Sequence, residues 1–310
     1  MAARSQRLAR LLEPHLVGSP MHVPSHFASK TDYVHQLIHN YYLPVFYWAE
    51  AQHAALPSSK SCLVLGLSCV QGGGKTTMSS YIQQLFQEAG KSCATLSLDD
   101  VYLTRADQLK VTAAHPHNPL LEHRGNPGTH DIDLLMSIID DATAGRDVLV
   151  PRYDKSAFDG RGDRFPRDQW LPHRGPLDVL LVEGWCLGFE ALDSNVDGDL
   201  GLVNHALRDF DCLYAALSAL IVVKVADVAW VYTWREEAEA RMREAGKPAM
   251  TPTQVRDFVD RFMPAYRAYL PTLYADATTG THLSTIPRLV VEIGQHRDCL
   301  AVMPRHRRDL

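Results

Sequence analysis

Residues 62–77, CLVLGLSCVQGGGKTT, constrain this 310-residue chain more than any other stretch. An apolar run of strand character gives way to a glycine cluster, then to Lys75-Thr76-Thr77, then to a helical pattern. A strand, a tight loop and a helix N-terminus in that order make a cradle for a polyphosphate. Gly72, Gly73 and Gly74 carry no Cβ, so backbone N–H groups can close on phosphate oxygens. The Lys75 ammonium has the reach for the β- and γ-phosphates, and Thr76 offers a hydroxyl to Mg²⁺. The pattern G-x-x-x-x-G-K-[ST] is broken once, because Cys69 stands where its first glycine belongs. Cysteine is small enough for the turn to survive. The plain alternative is a glycine-rich β-to-α turn with a surface lysine. The change of period from strand to helix across the loop argues against it.

The rest of the chain supplies the elements that such a loop requires. Residues 1–55 read as a helical preface, with Val34, Leu37, Ile38 and Tyr41 on one helical face. Its first residues, MAARSQRLARLLEPHL, are rich in arginine and poor in acids. They fit a short amphipathic helix or the stub of a transit sequence. The cluster Pro57-Ser58-Ser59-Lys60 interrupts the chain before a first core strand at 62–67. Further strands are expected at 92–98, 147–150, 178–183, 219–225 and 288–293. These are mostly continuous apolar runs, as in parallel strands buried on both faces. Helices are expected after the phosphate loop (Met78, Tyr81, Ile82, Leu85 and Phe86 form the stripe, Gly90 the stop), from Asp131, over 227–245 and over 251–270. The last begins with a capping box, Thr251-x-x-Gln254, and has Pro252 at its first position. Residues 104–130 read as one long irregular loop. The expectation is an α/β fold of three layers with a mainly parallel central sheet, and a ligand beyond the carboxyl ends of the strands. No internal repeat is present.

Composition narrows the partners. A net charge of −5 argues against a general nucleic-acid binder. No apolar run approaches the ~18 residues of a membrane span. The six cysteines (62, 69, 93, 186, 212, 299) form no C-x-x-C pair, and several sit in apolar runs as small hydrophobes, which suits a reducing compartment.

Four further groups carry candidate chemistry. Asp99 and Asp100 end the second strand inside LSLDDVYLT, where one could take a proton from an attacking hydroxyl or hold Mg²⁺; a turn cap is the alternative. Glu183 ends the strand of LLVEGW, in the place of a metal-side carboxylate; a solvent-facing charge is the alternative. Arg152, Lys155, Arg161 and Arg164 crowd the stretch VPRYDKSAFDGRGDR (150–164), and Arg124 lies in a parallel stretch, HRGNPGTHD. Either is an anion site or a solvated charged loop. His130 is as readily a helix-start residue as a catalyst. Arg235, Glu239 and Arg243 recur every four residues, as surface ion pairs or as a lid whose arginines close on a phosphoryl group.

Taken in order, GLSCVQGGGKTT (66–77), LSLDDVYLT (96–104), RGNPGTHD (124–131), VPRYDKSAFDGRGDR (150–164), VEGWCLGF (182–189), and WREEAEARMREAGKPAMT with PAYRAYLPTLY (234–251, 264–274) resemble the D-glycerate 3-kinase family, within the uridine-kinase-like and phosphoribulokinase-like P-loop kinases. That resemblance implies a P-loop NTPase fold with a helical N-terminal extension (1–55), a kinase domain (56–310) and a helical lid. It implies ATP and Mg²⁺ as cofactors and D-glycerate as acceptor. Val70, Gln71, Gly72, Gly73, Gly74, Lys75, Thr76 and Thr77 would hold the nucleotide, with Arg235, Arg243 and Lys247 from the lid. Thr76, Asp99 and Glu183 would hold the metal. Lys75, Asp99 and Asp100 would serve catalysis, with Asp99 the general base. Arg124, His130, Tyr153, Lys155, Arg161 and Arg164 would line the acceptor side. Neither nucleic acid nor membrane is an expected partner, the expected state is a monomer, and the expected compartment is the cytoplasm or a chloroplast stroma. Val101 replaces the aromatic more usual in the DDFY motif. The rival is a kinase of the same group with another small hydroxylated acceptor, or a non-catalytic ATP-binding protein; the guanine motif N-K-x-D of a GTPase switch is absent from the sequence.

Overall fold

The computed structural model describes residues 2–193, 196, 198–275 and 282–305. Three helices lead the chain: α1 (Ala2–Gly18), α2 (Lys30–Leu37) and α3 (Leu43–Ala54), the last two joined through a π-helical turn at Ile38–Tyr42. Leu8, Leu12 and Leu16, one turn apart along α1, are all buried in the common core. Each such leucine stabilises by about 1.5–3 kcal/mol relative to exposure.

β1 (Leu63–Cys69) follows and is buried at every position. The phosphate loop leads to α4 (Lys75–Glu88), whose buried face is the predicted stripe of Met78, Tyr81, Ile82, Leu85 and Phe86, joined by Ser79. Then come β2 (Cys93–Ser97), α5 (Arg105–Ala114), α6 (Ile132–Thr143), the short strands β3 (Val148–Val150), β4 (Tyr153–Asp154), β5 (Asp163–Arg164) and β6 (Leu171–His173), and β7 (Val179–Gly184). The last third holds α7 (Asp199–Ala206), α8 (Asp211–Ala216), β8 (Ala219–Val225), α9 (Trp230–Glu244), α10 (Pro252–Asp260), α11 (Met263–Tyr274), β9 (Arg288–Ile293) and β10 (Cys299–Arg305).

The central sheet has the order β10-β9-β8-β1-β7-β2. The first five strands of this sheet in chain order, β1, β2, β7, β8 and β9, run parallel, and β10 closes one edge antiparallel. Parallel pairing gathers the carboxyl ends of five strands at one rim, which is where the site lies.

Several expectations are corrected. Residues 148–150 do not enter the sheet; β3 pairs only with β6 in a separate ribbon, cut short by Pro151. The long loop 104–130 contains α5, capped by the Thr104 hydroxyl, which accepts the Asp107 N–H. The helix expected over 251–270 breaks at Arg261-Phe262 into α10 and α11, although its capping box forms as read. The expectations contained neither α7 and α8 nor the edge strand β10. Four of the six cysteines are buried, while Cys212 is exposed and Cys299 half-buried. Among the described residues no helix is long and apolar enough to cross a membrane.

Candidate active site

The phosphate loop is built for close approach. A Cβ on Gly72 (φ +79°) would stand 2.6 Å from Trp234 Cβ, and one on Gly73 would stand 2.6 Å from Cys69 Sγ. The second contact accounts for the departure at position 69. The cysteine side chain fills the space under the loop, and the turn accepts it because residue 73 has no side chain. Burial pushes the Cys69 thiol up to about 12 against the pull of Lys75, so it stays neutral. Gly74 (φ +94°) forms the N-cap of α4, and no side chain caps that helix. Its first-turn N–H groups are thus available to an anion. Val70 is buried beneath the loop, its carbonyl accepting the Gly73 N–H at 3.2 Å. Two outside residues brace the loop. The Tyr266 hydroxyl of α11 accepts the Gln71 N–H at 3.0 Å, and Arg297 Nε donates to the Gly72 carbonyl at 2.7 Å. Gln71, Gly72, Gly73, Gly74, Lys75, Thr76 and Thr77 all face one cavity of about 1700 Å³.

Two lysines of this cavity wall are ion-paired, one of them to a carboxylate behind the wall. Lys75 Nζ lies 2.5 Å from Glu183 Oε2, and Lys155 Nζ lies 2.5 Å from Asp99 Oδ2. Sheet register explains their proximity: Glu183 of β7 aligns with Leu67 of β1 on one side and Ser97 of β2 on the other. Glu183 is buried rather than pointed at solvent. Asp99 also accepts a hydrogen bond from the Tyr102 hydroxyl at 2.8 Å. Burial would raise its pKa, but Lys155 and Lys75 reverse this and hold the carboxyl far below the usual range. Burial likewise works against the charge on Lys75, and Glu183 with Asp99 outweighs it, so the ammonium is retained. Asp100 behaves differently. Burial and the neighbouring Asp99 push it up to about 6, it accepts the Tyr153 N–H at 3.2 Å, and it is not part of the cavity wall.

The basic segments divide into cations that face the cavity and cations consumed by the fold. Lys155 and Arg161 line the wall. Arg124 also reaches it, yet its guanidinium is occupied: Nη1 donates to Gly160 O at 2.8 Å and Nη2 to Lys155 O at 3.2 Å, with the Tyr153 ring 5.3 Å away. A Cβ on Gly162 would stand 2.5 Å from that tyrosine ring, so the GRG turn is shaped by the contact. Arg164 Nη2 donates to Tyr102 O at 2.7 Å and Asp131 Oδ2 at 3.0 Å, outside the cavity. Arg152 stacks over Phe165, also outside it. His130 is buried behind Tyr102, ring centroids 4.7 Å apart, with neither ring nitrogen hydrogen-bonded. Burial pushes it down to about 4, so it is a neutral packing group.

On the lid side, Arg235 pairs with Glu239 of its own helix, and Glu239 is only 2% exposed. Glu239 also accepts the Met250 N–H at 2.7 Å, tying α9 to the segment before α10. This is an interior joint, not a solvated ion-pair face. Arg243 turns to Glu236 and the Met250 carbonyl instead. Neither Arg243 nor Lys247 lines the cavity, whereas Arg235 does. The wall residues that sequence reasoning missed include Tyr102, His123, Arg261 and Arg297. Tyr102 and His123 lay inside singled-out motifs, LSLDDVYLT and HRGNPGTHD. Arg297 sits in a turn with φ +63° after β9, where nothing local marks it as a neighbour of Gly72.

Comparison with known proteins gives a consistent picture. No family model matches the chain. The chloroplastic D-glycerate 3-kinase of Arabidopsis thaliana is 41% identical over 277 residues, which cover 84% of this chain and 60% of the plant protein. The chain thus spans about three-fifths of that relative's length. A probable ATP-dependent kinase of Saccharomyces cerevisiae is 34% identical, with 80% of this chain and 90% of the yeast protein covered. Among solved structures, a D-glycerate 3-kinase from Cryptococcus neoformans superposes with a TM-score of 0.75 at 27% identity, covering 84% of this chain and 98% of that one.

Proposed function

The chain belongs to the D-glycerate 3-kinase family of P-loop kinases, and on that premise we propose that it transfers the γ-phosphoryl group of ATP to a hydroxyl of D-glycerate, giving 3-phospho-D-glycerate. The observation that carries this reading is that two lysines of one cavity wall each meet a carboxylate, Lys75 of the phosphate loop that of Glu183 behind the wall and Lys155 of the basic loop that of Asp99 within it. They support a phosphate cradle and a cation-bearing acceptor side sharing that cavity.

The reading assigns the following roles. Loop N–H groups and Lys75 hold the β- and γ-phosphates. Asp99, kept ionised and oriented by the Tyr102 hydroxyl, accepts the proton of the attacking glycerate hydroxyl. Its low basicity is compatible with this role, because phosphoryl transfer depends mainly on alignment and charge stabilisation, with little bond formation to the nucleophile. Thr76, Asp99 and Glu183 would hold Mg²⁺, directly or through water. Their donors are the hard oxygens this ion takes, and the buried Glu183 carboxylate already faces the Lys75 ammonium at the phosphate loop. Among the described residues no three His, Cys, Asp or Glu side chains cluster as a complete metal cage, in keeping with an ion that retains waters and phosphate ligands. When bound, Mg²⁺ supplies charge neutralisation at the phosphoryl oxygens.

The test is product identification. Incubation with ATP, Mg²⁺ and D-glycerate should yield ADP and 3-phosphoglycerate by NMR, with little turnover on uridine, pantothenate or ribulose 5-phosphate. ADP release without any acceptor, or preference for one of the others, overturns the assignment.

A further inference from the structure

We propose that Arg261, acting with Arg161, binds the carboxylate of the acceptor and so sets the preference for a hydroxy acid over a neutral alcohol. The inference rests on the kinase reading above and names a residue that reading did not contain.

Of the cations in the two basic segments, Arg124 is spent on loop carbonyls, Arg164 on Tyr102 O and Asp131, and Lys155 on Asp99. Among the described residues Arg161 has no carboxylate partner; its Nη1 lies 3.1 Å from the His123 ring nitrogen. Arg261 reaches the same wall from the break between α10 and α11. Its Nε makes one long contact, 3.4 Å, to the Asp257 carbonyl, and its guanidinium lies 5.5 Å from the Phe258 ring. Among the described residues no carboxylate comes within salt-bridge distance of it. Burial pulls the Arg261 pKa down, with Glu122 and Asp257 opposing and Arg161 and Arg124 reinforcing. Two guanidinium groups on one cavity wall, neither of them in a salt bridge among the described residues, suit an anion that can accept two parallel N–H bonds.

The placement of Arg261 is also built, by residues of two motifs that the roles above leave unused. Asn126, only 2% exposed, donates from Nδ2 to Arg261 O at 3.1 Å and to Leu120 O at 3.0 Å. Gly125 passes so close to Phe262 that a Cβ would stand 2.6 Å from its ring. Trp185, just past β7, donates to Gly125 O at 3.1 Å and packs on Phe262 with centroids 5.1 Å apart. The stretches RGNPGTHD and VEGW therefore clamp the α10–α11 break to the rim of the sheet. Rigid support of this kind is what a specificity residue needs.

The experiment compares wild type, Arg261→Met, Arg261→Lys and Arg161→Met on D-glycerate and on glycerol, which lacks the carboxylate. Arg261→Met should raise KM for glycerate on the order of 10- to 100-fold, the scale of a lost charged hydrogen bond. It should leave KM for ATP within about threefold, and the glycerate-to-glycerol ratio of kcat/KM should fall by the same factor as KM rises. Arg261→Lys should recover part of that loss. An unchanged KM for ATP also shows that the variant is folded. If wild type uses glycerate and Arg261→Met keeps its KM and its ratio, the inference fails while the kinase reading stands. If wild type ignores glycerate, the functional reading fails. The same variants are then measured on the acceptor found by the panel, and a neutral acceptor, or an acid whose KM does not move, overturns the inference too.

Discussion

Asp99 lies between two ammonium groups and one phenol, and its behaviour follows from that company. Its carboxyl is held far below the ordinary value, so in the assay range it is always ionised. Asp99→Asn should lower kcat by about 10²–10⁴-fold, the usual contribution of a general base, with the Kd for ATP nearly unchanged by calorimetry. Lys155→Met removes the main cation opposing burial, so the pKa of Asp99 should rise and the acid limb of kcat/KM should move to higher pH. An unmoved limb would count against the pairing. His130 carries the opposite lesson. Its pKa is depressed to about 4 by burial, below the ~6.5 of an unfolded histidine. The stability this neutral group provides is complete above pH ~6.5 and is lost as pH falls toward 4, a total of about 3 kcal/mol by linkage. His130→Phe should therefore lose less stability than wild type between pH 7 and pH 4.5 in thermal unfolding, whatever its offset at neutral pH.

At the scale of elements, the strand–loop–helix unit of β1 and α4 depends on a trade between positions 69 and 73. A methyl group at 73 meets the Cys69 sulfur. Gly73→Ala should weaken ATP binding, measured by titration, and Cys69→Ala in the same chain should restore part of it. If the double variant is no better than the single, the sulfur is not the obstacle. The joint between α9 and α10 has a similar logic. Glu239 is buried and serves both Arg235 and the Met250 N–H, so Glu239→Ala strands two donors. A cost of about 2–3 kcal/mol in chemical denaturation is expected, several times that of an exposed ion pair.

For the whole molecule, the question is how far the helical preface is separable. We propose an extension over 1–55 and a kinase domain over 56–310, but the extension is no loose appendage. α1 and α3 share the core with α4, and the segment after α1 joins the cavity wall, where the His22 and His296 rings stack with centroids 3.8 Å apart. Deleting residues 2–18 removes Leu8, Leu12 and Leu16 from their contacts. At about 1.5–3 kcal/mol each, the loss rivals the whole stability of an ordinary domain. Such a truncation should lower the unfolding midpoint sharply or yield aggregate. An unchanged midpoint would show that the core stands without α1.

What residues 62–77 decided by themselves was the local unit: a buried strand, a glycine loop and a helix with an uncapped N-terminus. The apolar runs at 92–98, 178–183, 219–225 and 288–293 likewise announced strands, because burial on two faces leaves a contiguous mark in the chain. Residues 147–150 carried the same mark without the sheet partner, and α5 hid in a polar stretch whose Thr104–Asp107 cap was its one sign. Which arginines remain free for a ligand was beyond any local pattern. Arg124, Arg161, Arg164 and Arg261 are chemically identical, and they differ only in the carbonyls, carboxylates and rings that distant segments bring against them. Charge type is written in sequence, but the satisfaction of a charge is a non-local fact, and the fold alone settles it.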